Sequence, residues 1–567
     1  FRILAKNVKY RDVSVPSELF FWVWADSRGE STRVKHFAEK ISGTNNWEVS
    51  VPRASHGNAV GDYSMSCWAV NSPETQVKGG LKTTIKKDAI IVMHGMMGSR
   101  LEFDGVQVWE PDFWNFPLQH FLVNMKPHLF LDEEGQPIPG VSDVEVINDY
   151  KGAQDSYDYL YASLEAQFSN EYDVKFFMYD WRLDNTSNAK LLENFTEEYD
   201  KIIIVAHSMG GLLSSKYINL SDDNRDKVQK LITIATPYLG STKVIAGFET
   251  GETMEFPASL LMNEHIKEII DNYSSAYQLM PTVNHPYNPI AVRGIYEVDY
   301  EYLDSYEYRN LLSQRPYSLY DGTEITKSIF YNAIDFQDSI TDLSSVPTYY
   351  IYGTGIDTPQ SAVFFDYGSD IYSFSHFMYG DGDGTVIPES ATRNFESPTS
   401  VRFAFSDNHQ ALANNIGVTI QVRDIIWGHE TPVAYGIQQV EEIDTSREKG
   451  VSVVVQGIDN INIADSDGNE VIVENNEMYI NINNDKVYVG SRWLINAETM
   501  RYQYTFHNIS AIINISGVKS ELSPEVLMIT YNDGGDESIE LYNEFEDQTN
   551  ALQILVNNNT FTLYNLR

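Results

Sequence analysis

The residues that stand out first as chemistry are Ala206-His207-Ser208-Met209-Gly210. They follow an unbroken apolar run, Ile202-Ile203-Ile204-Val205, and lead through Gly211 into the helix-capable Leu212-Leu213-Ser214-Ser215. A buried strand that turns sharply into a helix is how a nucleophilic serine is presented in the G-x-S-x-G pattern, here with alanine in place of the first glycine. Small residues at 206 and 210 are needed because the turn is strained. A large side chain at either position would collide with the neighbouring strand and helix.

Such a serine needs an acid and a histidine downstream, in that order. Tyr379-Gly380-Asp381-Gly382-Asp383-Gly384-Thr385 is a glycine-rich loop able to aim one carboxylate inward. His409 follows the apolar Val401-Arg402-Phe403-Ala404-Phe405 and precedes a helical pattern over 410–426. Both sit at carboxyl ends of expected strands, where open α/β sheets assemble their sites. Asp180 precedes the serine, His265, His285 and His376 precede the acid loop, and His429 lies past the helix, so His409 is the expected base. The choice between Asp381 and Asp383 stays open on residue logic. Two backbone amides must hold an oxyanion: that of Met209 and one from His94-Gly95-Met96-Met97-Gly98-Ser99, directly after Ile90-Ile91-Val92. His94, ahead of a glycine-rich turn, is expected to shape that loop. Neither Asp381/Asp383 nor Asp465/Asp467 is accompanied by the other oxygen ligands of a calcium loop, so no metal or cofactor is expected.

The elements that position these groups follow from the pattern. Short continuous apolar runs at 89–93, 174–178, 202–206, 231–235, 348–352 and 401–405 suit parallel strands buried on both faces, and the intervals leave room for helical crossovers. This α/β stretch covers about 85–430. Before it, residues 1–80 read as a small β-sandwich-like module, with strand-like runs at 20–25, 46–51 and 63–70 and a linker expected around Gly79-Gly80. After it, 431–567 reads as a β-rich domain. There Asp467-Gly468 marks one hairpin and Asn484-Asp485 a second, between the runs 478–482 and 486–490.

The 567 residues carry 80 acidic and 40 basic side chains, a formal charge of -40. That balance argues against nucleic-acid binding and repels anionic bilayers at long range, so any membrane contact would be hydrophobic and local. A single cysteine, Cys67, excludes an internal disulfide framework and a thiolate metal cluster. No apolar run approaches the length of a membrane-spanning helix. The chain opens on Phe1, as after removal of a signal peptide or trimming, and a secreted or cell-surface location is the expectation.

Between about 88 and 430 the motifs resemble the lecithin:cholesterol acyltransferase and lysosomal phospholipase/transacylase family of α/β-hydrolases. The resemblance runs in order through the 94–102 loop, Tyr179-Asp180-Trp181-Arg182, the 206–210 turn, 235–241, 275–281, 350–355 and 381–386. It implies an α/β-hydrolase core, mostly parallel with helices on both faces, which the patterns on either side flank with two all-β domains. It further implies Ser208 as nucleophile, Asp383 as the acid, His409 as base, and the amides of Met97 and Met209 as the oxyanion hole. His94 stands where the family has proline, Ala206 where it has glycine, and the disulfides of the animal members are absent. Cap or lid inserts are expected at about 102–150 and 242–345. Trp109, Phe113, Trp114, Phe116, Phe121 and Leu122 suit a bilayer interface and equally a small packed cap. Trp109, Trp114, Trp181 and Phe256 are the candidate substrate and lid residues. The implied substrate is a lipid acyl ester, met at a transient membrane or micelle surface. A surface adhesion protein with a degenerate core and a short-chain carboxylesterase are the alternatives. The N-terminal run Val23-Trp24-Ala25-Asp26, with Trp47, His56 and Gly61-Asp62-Tyr63, resembles Bsp-like repeats of Gram-positive surface proteins and implies contact with a cell wall or surface.

Overall fold

A computed structural model describes residues 2–6, 18–57, 59, 61–69, 75–85, 87–110, 118–251, 263–294, 301–303, 327–366, 372–393 and 401–429. Beyond 437 it describes the strand residues between 438 and 566. The six apolar runs form β1 (Lys87–Met93), β2 (Asp173–Phe177), β3 (Tyr199–His207), β4 (Val228–Ile234), β5 (Thr348–Gly353) and β6 (Val401–Phe405). They pair in parallel in the order β2-β1-β3-β4-β5-β6, and a short β7 (Gln438–Gln439) closes the edge antiparallel. This is the expected α/β-hydrolase core.

The sheet is buried on both faces because alternate residues of each strand supply two separate apolar layers. Ala89, Ile91, Met93, Ile202, Ile204 and Ala206 pack with Leu212, Leu213 and Tyr217 of the helix Met209–Leu220. Ile90, Val92, Ile203 and Val205 pack on the opposite side with Leu160 and Leu164 of Asp158–Phe168 and Val418 and Val422 of Ile416–Trp427. The register brings Met93 level with Ala206, His207 with Ile234, Ile234 with Ile351, and Gly353 with Phe405. The loops that follow β1, β3, β5 and β6 therefore open on one edge.

The loop after β2 braces that edge. Arg182, fully buried, spans Asp180 with Nε–Oδ1 at 3.0 Å and Nη2–Oδ2 at 2.7 Å, and donates to the carbonyls of His128 at 2.9 Å and Ser142 at 3.1 Å. One buried ion pair thus ties the sheet to the insert, which has no disulfide to hold it. Within the insert, Leu101–Phe103, Val106–Trp109 and Glu145–Val146 form a small antiparallel sheet, and Arg100 pairs with Glu110, Asp149 and Asp155. A four-stranded sheet that the sequence did not announce, Glu301–Leu303, Ile290–Gly294, Thr358–Asp366 and Tyr372–Gly380, feeds the acid loop from its last strand.

At the N-terminal end six strands pair in one antiparallel path, with Leu19, Phe21, Val23, Tyr63, Met65 and Cys67 in its core. Gly79 and Gly80 lie within the strand Thr75–Ile85, so the expected linker is instead an extended edge paired to Gly61–Ala69. Burial pushes the Cys67 thiol up to about 11. Past residue 449 the strands form two six-stranded antiparallel sheets. Ile458–Ala464 and Glu470–Glu474 pair as the first expected hairpin. The second is not formed: Glu477–Asn481 pairs with Glu470–Glu474, whereas Val487–Tyr488 joins Thr499–His507 in the other sheet. Asn484-Asp485 lacks the glycine that the tight two-residue turn favours. Among the described residues no helix is long and apolar enough to cross a membrane.

Replacing Arg182 with methionine leaves the Asp180 carboxylate buried without its counter-charge. Urea denaturation should show a loss of about 3–5 kcal/mol relative to wild type.

Candidate active site

Ser208 occupies the turn between β3 and its helix with φ 53° and ψ -127°. Its amide donates to the Ile234 carbonyl at 2.8 Å, so the turn is pinned to β4. The space around it admits no larger residues. A Cβ on Gly210 would lie 2.6 Å from the His94 carbonyl oxygen, and one on Gly211 would lie 2.0 Å from Thr236 Oγ1. Ala206 is fully buried.

His409 is the first residue of a short helix, His409–Leu412, whose start is fixed by Asn408 accepting the Ala411 amide at 2.9 Å. Its Nε2 lies 2.9 Å from Ser208 Oγ, and its Nδ1 lies 2.8 Å from Asp383 Oδ2. The His409 amide also donates to the Asp383 carbonyl at 2.9 Å, so the two residues are joined twice. Asp383 is 1% exposed, and its Oδ1 accepts the amides of Thr385 at 2.9 Å and Val386 at 2.7 Å. Gly353 makes room for it, since a Cβ there would meet Asp383 Cβ at 2.4 Å. Asp381 instead accepts the Gly355 amide at 2.5 Å, at the end of β5. Of the two aspartates left open by residue logic, only Asp383 faces the imidazole.

The loop after β1 lies against the serine. A Cβ on Gly95 would be 2.7 Å from Ser208 Cβ and 3.2 Å from Oγ, so glycine is required there. Gly98 donates to the Gly95 carbonyl at 3.2 Å, with Met97 at φ 59°, closing a turn in which Met96 and Met97 are the central residues. His94 Nδ1 donates to the Gly95 carbonyl at 2.7 Å, its Nε2 accepts the Tyr179 amide at 3.2 Å, and its ring stacks on Tyr179 with centroids 4.0 Å apart. Burial pushes its pKa down to about 4. His94 is thus a neutral brace of the loop.

Trp109 and Trp181, expected to meet substrate, are buried and serve the same loop. Trp109 Nε1 donates to the Met97 carbonyl and Trp181 Nε1 to the Ser99 carbonyl, each at 3.1 Å, and the two indoles meet edge to face. Phe121 is buried as well, and Leu122 packs beside the same apolar layer. Phe113, Trp114, Phe116 and Phe256 lie outside the described residues. A cavity of about 170 Å³ opens over Ser208 and His409, with Met96, Met97, Val244, Ile270, Leu279 and Val386 on its walls. The 235–241 segment reaches it through contact with 275–281: Ser241 N donates to the Leu279 carbonyl at 2.9 Å, and a Cβ on Gly240 would lie 2.3 Å from the Met280 carbonyl oxygen.

The family model for lecithin:cholesterol acyltransferase matches residues 140–345. Over those residues, short of half the chain, the sequence is similar to that family. Phospholipase A(1) LCAT3 of Arabidopsis thaliana is 25% identical over 249 residues, 37% of this chain and 54% of that protein. The dog (Canis lupus familiaris) lysosomal phospholipase A and acyltransferase is 24% identical over 241 residues, 39% of this chain and 52% of that protein. The chain spans about half the length of these curated relatives. Among solved structures, the Tle4–Tli4 complex aligns with a TM-score of 0.40 at 14% identity, covering 59% of this chain and 97% of that one. The propeptide form of the Bacillus licheniformis lipase BlEst2 aligns at 0.33 and 12% identity, over 84% and 96%.

Sequence reasoning missed Tyr157 and gave no role to His207, both buried beside Ser208. The histidine within the turn was a visible signal, whereas nothing local marks Tyr157. His285, weighed and set aside as a base, is pushed down to about 4 by burial. Its folded pKa lies below its unfolded one, so its contribution to stability is full above about pH 6.5 and is lost as pH falls toward 4. Between pH 7 and pH 5 a His285→Gln variant should lose about 1–2 kcal/mol less unfolding free energy than wild type, measured by denaturation at each pH.

Proposed function

We propose that the protein is a serine esterase acting on acyl esters of lipids, as a phospholipase, lysophospholipase or transacylase, through an acyl-enzyme on Ser208. The observation that carries the reading is the line Ser208 Oγ, His409, Asp383, at 2.9 and 2.8 Å. His409 Nε2 takes the serine proton as Oγ adds to the ester carbonyl. Asp383, held by the Thr385 and Val386 amides, keeps the proton on Nδ1 and stabilises the imidazolium that forms. The imidazolium returns its proton to the leaving alcohol. Water or an acceptor alcohol then repeats the sequence in reverse. Hydrolase and transacylase differ only in that acceptor.

For the oxyanion, the Met209 amide opens the helix behind the nucleophile. In the facing loop the Gly95 α-carbon packs on Ser208, and the Gly95 carbonyl is turned away toward His94 and Gly98. The N–H on the other side of that peptide, that of Met96, points the opposite way and is our candidate for the second donor. The resemblance implied the amide of Met97, one residue on, and the Met96 variant below discriminates between the two.

The match to the lecithin:cholesterol acyltransferase family model over residues 140–345 and the apolar walls of the cavity support lipid substrates. The cavity volume favours a second reading, a short-chain carboxylesterase, since pockets for larger ligands occupy roughly 300–1,000 Å³. We also propose that the β-rich parts before about residue 80 and after about 431 are separate modules, that the first contacts a cell wall or surface, and that the protein is secreted or surface-borne.

With chromogenic acyl esters of increasing chain length, kcat/KM should rise with chain length, and a defined phospholipid should yield free fatty acid, or acyl ester when an alcohol is added. Rates that fall with chain length would replace the lipid reading with the short-chain one. Ser208→Ala should abolish turnover and labelling by a fluorophosphonate probe while remaining folded. Wild-type rates in that variant would refute the mechanism.

Proline is tolerated at the first central position of such a turn. Met96→Pro should therefore remove one amide proton with the loop intact, lowering kcat on the order of a hundredfold at nearly constant KM. Unchanged kcat would return the donor role to Met97.

A further inference from the structure

Tyr157 and His207 form a chain of hydrogen bonds that crosses behind Ser208. His207 Nε2 lies 2.9 Å from the His409 carbonyl oxygen. A carbonyl only accepts, so this nitrogen carries the proton. His207 Nδ1, bare in the neutral ring, lies 2.9 Å from the Tyr157 hydroxyl, which must donate to it. The same hydroxyl oxygen accepts the Gly95 amide at 3.0 Å. Every proton in the chain has one possible place. Both side chains are buried, at 3% and 5% exposure, and burial followed by the proximity of His409 keeps His207 well below its usual pKa.

The two ends of this chain are the two parts of the site that must not drift apart. One end is the peptide of the base. The other is Gly95, whose carbonyl is already fixed by His94 and Gly98, so that its amide bond to Tyr157 fixes the remaining side of the loop. We infer that Tyr157 and His207 are positioning residues that set the distance between the oxyanion amides of the 95–97 loop and the His409 imidazole. Both reach the cavity wall, but their polar atoms bond each other, the Gly95 amide and the His409 carbonyl rather than Ser208 Oγ or the His409 ring nitrogens. Their contribution appears when charge develops on the carbonyl oxygen and on His409 together, because a shift near 1 Å in either costs on the order of a hundredfold in rate. A neutral His207 also places no second positive charge beside the imidazolium; the two rings are 4.9 Å apart. Tyr157 itself is held by its N–H, which donates to the Lys151 carbonyl at 3.0 Å, in a segment joined to the loop by the Ala153 N–H donating to the Gly98 carbonyl at 2.9 Å.

The inference rests on the esterase reading of Ser208, and the test separates the two. Wild type, Tyr157→Phe, His207→Gln, His207→Ala and the Tyr157→Phe/His207→Gln double variant are each titrated with a fluorophosphonate, and turnover of a chromogenic acyl ester is expressed per labelled serine. A wild type that does not label at Ser208 overturns the esterase reading. With labelling intact, Tyr157→Phe should lower kcat about ten- to a hundredfold with KM within about threefold. His207→Gln, which keeps a donor for the His409 carbonyl, should exceed His207→Ala in kcat. The double variant should be no slower than the slower single variant, because the two side chains act as one unit. Wild-type kcat per labelled serine in Tyr157→Phe would overturn the inference. So would losses that multiply in the double variant, or a fall that only tracks the fraction of folded protein.

Discussion

Everything at the candidate site depends on one constraint: the loop that runs beside Ser208 cannot satisfy its polar groups by secondary structure. Residues 94–99 are neither helix nor strand, yet His94, Met97 and Ser99 are buried. Their peptide groups need partners. Side chains supply them: Tyr157 for the Gly95 amide, His94 for the Gly95 carbonyl, Trp109 for the Met97 carbonyl, Trp181 for the Ser99 carbonyl, and Tyr179 for the His94 carbonyl. The Tyr179-Asp180-Trp181-Arg182 motif is therefore a frame for the loop. Its two aromatics hold loop carbonyls, and its ion pair anchors the insert behind them.

How much of this was legible follows from which interactions are local. The six strands were legible because burial on both faces writes itself into consecutive apolar residues, and Ser208 because the turn demands small neighbours on either side. His409 followed from chain order. Asp381 and Asp383 could not be separated locally, since each is flanked by glycine. What separates them is the approach of Gly353 from another strand, whose missing side chain leaves the room that the Asp383 Cβ occupies.

The misreadings have a common origin. Trp109 and Trp181 carry an indole N–H, and composition does not say whether that donor meets a ligand or a neighbouring peptide carbonyl. Tyr157 is 50 residues from the histidine it binds, and its place depends on how the 149–157 segment docks against Gly98. The strands 477–481 and 487–488 follow each other closely in the chain yet pair in different sheets, a choice made by partners far away in sequence.

The solitary cysteine has a further consequence. Cys67 is enclosed in the N-terminal sheet, with its thiol held in the protonated form across the physiological range. There is no disulfide to reduce and no exposed thiolate to oxidise. The insert is held by Arg182, Arg100 and two indoles rather than by a covalent tether. Within these residues, then, no disulfide can form or break as the medium turns oxidising or reducing.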